Sequence, residues 1–431
     1  MSESLYQHYR EVRHVCTDSR NLKPGDIFFA LRGDVFDGNR FAAVALEQGA
    51  SLVVCDNPDH LPDDPRTLLV PNSLIALQQL ASHHRETLNV PVIGITGSNG
   101  KTTTKELMAA VLSEHLHTGF TKGNLNNHIG VPLTLLNQPE GIECILVEMG
   151  ANHPGEITFL CHLARPTHGI ITNIGKAHLE GFGGAEGVKK AKKELYDYLR
   201  STGGTAFVHA NDDLLMDLSQ GLNRILYGDH PDSIVAGKAI TNTYYLAMDW
   251  TCQAVNESGH LISQMTGIYN LPNVLAAMTA GIHFGLQPSQ AAAAIANYTP
   301  LNNRSQLIQT DHNLLIADAY NANPSSMEAA LRHFHALEQQ PKCVILGDML
   351  ELGEEAEEEH THILDILEEL KPEKVMLVGP VFCDTVRNHD HLAFTDVNAC
   401  LAYLKQHPVR NHLVLVKGSR GIRLETLFPL L

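Results

Sequence analysis

Apolar residues fall along this chain in short bounded runs, separated by stretches with helical spacing. Near the start, DIFFAL (26–31), ASLVVCD (50–56) and TLLVP (67–71) are strand-length runs broken by turns, and SLIALQQLASHHRETL (73–88) predicts a helix. A different regime opens at NVPVIGIT (89–96), where PVIGIT has the composition and length of a buried parallel strand. In the following TTTKELMAAVLSEHL, residues Leu107, Met108, Val111, Leu112 and Leu116 share one stripe of a helix. CILVEMG (144–150), HGIITNIG (168–175) and GTAFVHAN (204–211) predict further strands, 233–268 reads as antiparallel, and NVLAAMTAGIHFGL (273–286) as a helix. From about residue 300 the alternation restarts, with strands expected at 314–320, 342–349, 374–379, 392–396 and 412–419. Strand–helix alternation in two long blocks after a short one implies an α/β protein of three units. Their expected bounds are 1–87, 88–299 and 300–431: a small α/β N-terminal unit, a central mononucleotide-binding α/β unit and a C-terminal Rossmann-like α/β unit.

The length of 431 residues agrees with about three domains. The net charge of −17 argues against a nucleic-acid partner, and any anionic substrate must then be met by a few gathered cations. No segment reaches about 18 uninterrupted apolar residues, so no membrane insertion is expected. The polar start MSESLYQHYREVRHV does not read as a secretory leader, and eight scattered cysteines without a C-x-x-C pair fit reduced thiols. A cytoplasmic monomer is the expectation. The acidic run ELGEEAEEEH (351–360) reads as a solvated helix start.

The chemistry begins at GITGSNGKTTTKE (94–106). The common phosphate-loop template G-x-x-x-x-G-K-[ST] would need glycine at 95, where Ile95 stands; the glycines are Gly94, Gly97 and Gly100. A strand, a glycine turn and a helix opening on Lys-Thr-Thr still present backbone N–H groups to an anion. Gly97, Ser98, Asn99, Gly100, Lys101, Thr102 and Thr103 are therefore candidate nucleotide contacts, with Lys101 reaching the β- and γ-phosphates and the Thr102 hydroxyl facing Mg²⁺. Glu148, ending the strand ILVE, is a candidate metal ligand, and His178 in NIGKAHLEGFGG (173–184) a candidate for a second ion. In the basic helix VKKAKKELYDYL (188–199), Lys189, Lys190 and Lys193 read as a solvated face.

These segments resemble the Mur ligase family, ATP-dependent amide ligases of peptidoglycan precursor synthesis. The likeness runs in order through TDSRNLKPGDIFFALRG (17–33), FDGNRFAAVALEQGA (36–50), the short phosphate loop, GNLNNHIGVPLTLL (123–136), VEMGAN (147–152), NIGKAHLEGFG, GIYNLPNVLAA (267–277), LIADAYNANPSSM (315–327) and VKGSR (416–420). It implies a uridine-nucleotide unit at 1–87, an ATP-binding unit at 88–299, and a C-terminal unit that meets the ATP ribose and the incoming group. DAYNANPSSM, LGDMLELG and KGSR resemble the member that adds D-alanyl-D-alanine to UDP-N-acetylmuramoyl-tripeptide. The Asp-Asn-Pro-Arg motif of the diaminopimelate-adding member is absent; the one Asp-Asn-Pro, at 56–58, lies in the first unit without the arginine.

By this resemblance Thr102, Glu148, His178 and Lys192, the last as a carbamate, hold two Mg²⁺ ions. Asn270 and Asn273 meet adenine, Asp318 the ribose, and Arg304 the γ-phosphate. Lys101, His178, Lys192 and Arg304 form the catalytic set, and Ser19, Arg20, Asn126, Asn127, Asn321, Asn323, Ser419 and Arg420 contact the substrates. Where the family often carries histidine after Asp37-Gly38, this chain has Asn39. The competing readings are a sister ligase adding a single amino acid, a phosphate-loop kinase or nucleotide switch, and an inactive scaffold.

Overall fold

The computed structural model describes residues 3–176, 179–300, 304–386 and 391–431. Three larger sheets carry the fold, beside a two-stranded pair of Arg32–Gly33 with Phe36–Asp37. In the first, four short strands run parallel in the order Val15–Cys16, Ile27–Phe29, Leu52–Cys55, Thr67–Leu69. Ile27, Phe28, Phe29, Val53, Val54 and Cys55 are almost fully buried there, because both faces of a parallel sheet are covered. Tyr9 ties this unit to the next by donating its hydroxyl to Leu136 O at 2.7 Å, and Asn137 brackets the backbone of Val15 with two bonds.

The central sheet has nine strands, with Val92–Thr96 between Cys144–Glu148 on one side and His168–Ile171 on the other. The chain leaves Val92–Thr96, visits the edge strand Thr118–Phe120, returns through Cys144–Glu148 and crosses to His168–Ile171. The direction of winding thus reverses at Val92–Thr96, and ligands of open α/β sheets bind at the carboxyl ends of the strands at such a point. Ser233–Ile240, Tyr245–Cys252 and Glu257–Thr266 extend the far side as antiparallel strands, as the 233–268 pattern indicates. The Lys101–Leu112 helix buries Leu107, Met108, Val111 and Leu112 as its stripe requires, at roughly 1.5–3 kcal/mol for each large apolar side chain taken from water. Leu116 lies beyond the helix, which stops at the Ser113 cap.

The third sheet runs Gln306–Gln309, Leu314–Asp318, Leu413–Lys417, Lys342–Gly347, Lys374–Val378, Leu392–Phe394, parallel except for the first pair. Its register sets Asp318 directly beside Lys417. The acidic run departs from expectation at its end. Glu351, Glu354, Glu357 and Glu358 are exposed, but Glu359 is only 3% exposed and pairs with Lys176 of the central unit at 2.5 Å. Helical spacing turns Glu359 and His360 inward on the Ala356–Leu370 helix, next to Ile363. Among the described residues no helix is long and apolar enough to cross a membrane, and the eight cysteines are free thiols, seven of them buried.

Candidate active site

The loop after Val92–Thr96 is fixed by backbone demands that side chains cannot meet. Gly97 has φ +143°, and a Cβ there would sit 2.0 Å from Thr172 Oγ1. Gly100 has φ +78° and would press a Cβ to 2.7 Å from Asn273 Oδ1. The turn is laced to the end of the neighbouring strand: Ser98 N donates to Asn173 O, Asn99 N to Asn173 Oδ1, and Asn173 Nδ2 back to Asn99 O, each at 3.0 Å. Lys101 opens the helix and folds back over its own loop, donating to Gly97 O at 2.6 Å and Ser98 O at 3.0 Å. Burial holds the Lys101 ammonium below the ordinary lysine range, with Glu148 opposing and the charge of Arg304 reinforcing the shift. Thr102 and Thr103 follow, half-buried, in the first helical turn.

Glu148 pairs in register with Ile95, one residue short of the strand end that feeds the loop. It is 2% exposed; Oε1 accepts from Asn126 Nδ2 at 2.8 Å, while Oε2 is buried without a hydrogen-bond partner. A carboxylate oxygen stripped of water and left unbonded is costly unless a cation completes it, so this residue fits a metal ion. A cleft of about 550 Å³ opens here, lined by Lys101, Asn126, Asn127, His128, Asn152 and Glu156 among others. Asn127 Oδ1 also accepts from the N–H of Gly130, the first residue of the Gly130–Leu136 helix.

Lys192 lies on the Ala185–Thr202 helix, 1% exposed, its Nζ 5.3 Å from the centre of the Phe182 ring. Burial, reinforced by the charge of Lys101, brings its pKa down to about 7. Its neighbours Lys189, Lys190 and Lys193 are more exposed, as a solvated face requires. His178 lies outside the described residues, and among those described no group of three or more His, Cys, Asp or Glu is placed so that it could hold a metal ion.

From the C-terminal sheet, Asp318 accepts a 2.6 Å bond from Lys417 Nζ and a 3.3 Å bond from Ser305 N. The Arg304 guanidinium lies 3.6 Å above the centre of the Tyr320 ring. Asn323 Nδ2 donates to Asn99 Oδ1 at 2.6 Å, so the loop after Leu314–Asp318 rests on the phosphate loop itself.

The Mur ligase middle domain matches residues 95–281, the Mur ligase glutamate ligase domain 303–420 and the Mur ligase family catalytic domain 11–111. UDP-N-acetylmuramoyl-tripeptide–D-alanyl-D-alanine ligase of Bacillus subtilis (strain 168) is 35% identical, the match covering 98% of this chain and 93% of the relative. The chain belongs to the Mur ligase family. Solved relatives of this Mur ligase include MurF from Acinetobacter baumannii (TM-score 0.87, 29% identity, 98% and 97% of the two chains). MurF from Thermotoga maritima in complex with ADP gives a TM-score of 0.85 at 25% identity, over 100% and 98%.

Within this Mur ligase several expected contacts are engaged inside the protein. Asn270 gives both amide hydrogens away, to Thr266 O at 2.9 Å and Ser305 Oγ at 3.1 Å, and accepts from Asn273 Nδ2. Asn273 in turn accepts from Thr104 Oγ1 at 3.1 Å, so the pair braces the phosphate loop from behind. Asn323 caps the Pro324–Ala336 helix. Ser419 is 3% exposed and accepts from Leu350 N. Asn321 and Arg420 are exposed. In the first unit Ser19 is half-buried, and Arg20 is exposed and forked onto Asp18, whose carboxyl it holds below the usual range. Asn39 is buried and bonds Asp37 and Asp56, a bracing role within its own unit. Two residues escaped the sequence reading, Tyr320 and Lys417. A lysine in the apolar run HLVLVK was the available signal for Lys417, since lysines are rarely buried without a partner.

Proposed function

We propose that this Mur ligase joins D-alanyl-D-alanine to UDP-N-acetylmuramoyl-tripeptide with ATP, releasing ADP and phosphate. Support comes from full-length similarity to ligases bearing that name. The observation that carries the chemistry is the contact of Asn323 with Asn99, which brings the C-terminal loop against the phosphate loop. The proposed division is a nucleotide-sugar unit over 1–87, an ATP unit over 88–299 and an acceptor unit over 300–431, working as a monomer in the cytoplasm.

A carboxylate resists an amine because its carbonyl is electron-rich and its leaving group would be oxide. In the proposed reaction a carboxylate oxygen of the tripeptide attacks the γ-phosphorus, the bond to ADP breaks, and an acyl phosphate results. The free amine of the dipeptide adds to the acyl carbon, loses a proton, and phosphate departs. Lys101 leaves the carbonyls of Gly97 and Ser98 for the phosphate oxygens, and Arg304 neutralises charge on the transferring group. The loop N–H groups hold the polyphosphate, Asp318 the ribose, and Asn126 and Asn127 the nucleotide-peptide in the cleft beside Lys101. Asn321 and Arg420 face the dipeptide. The docked C-terminal unit excludes water from the acyl phosphate.

Bound magnesium supplies neutralisation of the triphosphate, and Thr102, Glu148, His178 and Lys192 are the residues that would hold it. Lys192 suits this as a carbamate: its neutral amine adds to the carbon of CO₂ and sheds one proton, leaving an anionic oxygen ligand. A pKa brought down to about 7 leaves much of that amine uncharged at neutral pH.

The test is phosphate release with product mass measured, using nucleotide tripeptides ending in lysine or diaminopimelate. Release is expected only with ATP, magnesium, nucleotide-peptide and D-alanyl-D-alanine together, and Lys101→Ala is expected to lose at least about 100-fold in turnover. Release without the dipeptide would favour a kinase or nucleotide switch, and turnover of a single amino acid a sister ligase.

A further inference from the structure

We propose that Tyr320 is a positioning residue that makes Arg304 move with the C-terminal unit, so that the arginine reaches the γ-phosphate only when that unit is docked. The inference rests on the reading of Arg304 given above. Arg304 lies where the chain passes from the central unit into Gln306–Gln309. The next residue, Ser305, has φ +49° and is pinned from both sides: Thr266 N donates to Ser305 O and Asn270 Nδ2 to Ser305 Oγ, while Ser305 N donates to Asp318. The backbone is thus a junction belonging to both units. The side chain is not shared in this way, since its guanidinium lies on the ring of Tyr320, two residues beyond Asp318 in the C-terminal sheet.

The kind of contact matters. A guanidinium held by a carboxylate spends its N–H edge on that partner and must break an ion pair before it meets a phosphate. A guanidinium stacked on a ring uses only its face. Its N–H groups stay in plane and free, so the stack and a phosphate contact can coexist. The ring also offsets a local excess of like charge, because Arg304 is close enough to Lys101 to depress its pKa. A second arginine engages the same residue: the Arg420 guanidinium carbon lies 5.3 Å from the ring centre, and Nη1 donates to the Tyr320 hydroxyl at 3.4 Å. One side chain therefore orients the arginine proposed for ATP and the one proposed for the dipeptide.

The test is a double-mutant cycle with full-length enzyme: Tyr320→Leu, Tyr320→Phe, Arg304→Ala, and Tyr320→Leu combined with Arg304→Ala. Tyr320→Leu is expected to lower kcat about 10-fold with the nucleotide-peptide KM little changed, and Tyr320→Phe to keep activity within about 3-fold. Adding Tyr320→Leu to Arg304→Ala is expected to cost nothing further in kcat at saturating dipeptide, since a residue acting through another is non-additive with it, and any loss through Arg420 falls on the dipeptide KM. Affinity for ADP against a non-hydrolysable ATP analogue supplies a second readout. Tyr320→Leu is expected to erase the preference for the triphosphate while ADP binding holds, whereas a merely structural loss would weaken both. Additive losses, or a Tyr320→Leu enzyme equal to the parent, would overturn the inference. Parent-like activity in Arg304→Ala would instead overturn the reading of Arg304 itself. If Tyr320→Leu does not fold by circular dichroism, Tyr320→His is carried through the same cycle.

Discussion

Lys192 and Lys417 are both lysines that the fold has taken out of water, at 1% and 2% exposure, and they are surrounded in opposite ways. Lys417 ends a strand beside Asp318 and spends its protons on that carboxylate at 2.6 Å and on Asn321 O at 3.3 Å. Lys192 faces the Phe182 ring with no bonded carboxylate among the described residues, and the nearby charge of Lys101 opposes its own. Burial with a partner preserves a lysine as a structural cation. Burial without one favours the neutral amine, which is a nucleophile. The same residue type therefore serves as a brace in the C-terminal unit and, on the carbamate proposed above, as a reactive group in the central one.

The largest expected effect comes from removing the unpaired lysine. Lys192→Met is expected to lower kcat by at least about 100-fold, because the proposed carbamate ligand is lost. Its stability should respond in the opposite sense. The folded pKa lies near 7 and the unfolded value is 10.5, so between them the unfolded chain binds the extra proton. Stability of the parent in CO₂-free buffer should rise with pH through that window, by up to about 2 kcal/mol from about pH 7.5 to about pH 9. Denaturant unfolding at the two pH values should show that slope in the parent and its loss in Lys192→Met. A carbon-13 signal from labelled CO₂ that persists in the variant would break the contrast.

The paired lysine should behave otherwise. Lys417→Met leaves Asp318 charged and mostly buried, and is expected to cost about 2–3 kcal/mol, somewhat below the usual range for a broken buried pair because Asp318 keeps 14% exposure. Adding Asp318→Asn should recover most of that stability, while ATP binding stays impaired through loss of the proposed ribose contact. Thermal unfolding and nucleotide affinity separate the two. If the double variant is no more stable than Lys417→Met, the pair is not the brace described.

Much of this layout was legible before any coordinates. PVIGIT, CILVEMG and HGIITNIG are buried on both faces, so their apolar runs are unbroken, and they appear as Val92–Thr96, Cys144–Glu148 and His168–Ile171. Val15–Cys16, Thr118–Phe120, Asn223–Tyr227 and Gln306–Gln309 went unread, being two to five residues long or, like Asn223 and Arg224, exposed where a strand signal needs burial. The Glu3–Val12 helix also went unread, since only Leu5, Tyr6 and Tyr9 are buried on a polar segment. At the site, Lys101 and Glu148 could be picked out because a loop and a strand end are local features. The Arg304–Tyr320 stack joins two units across a junction, and Lys176 meets Glu359 across 183 positions, so neither leaves a periodic trace.

That last pair gives a third lysine and the smallest expected effect. Lys176 is 53% exposed at its side chain, yet its partner Glu359 is buried and keeps a second oxygen without a bond. Glu359, followed by Glu355 and Glu358, raises the Lys176 pKa, so the pairing stabilises the fold below the ordinary lysine value and is lost only as pH climbs past the raised one. No pH dependence near neutrality is therefore expected from it, unlike Lys192. Lys176→Met leaves the buried Glu359 carboxylate unpaired, but solvent already screens the half-exposed cation that is lost, so it should cost about 1–2 kcal/mol, below Lys417→Met, and less in high salt. Its contact spans the central and C-terminal units, so small-angle scattering should reveal the change better than thermal unfolding: a slightly larger radius at low salt that added nucleotide removes. A loss of stability above that of Lys417→Met would mean that burial of the carboxylate, not of the lysine, governs these pairs, and the contrast between Lys192 and Lys417 would have to be drawn from their acidic neighbours instead.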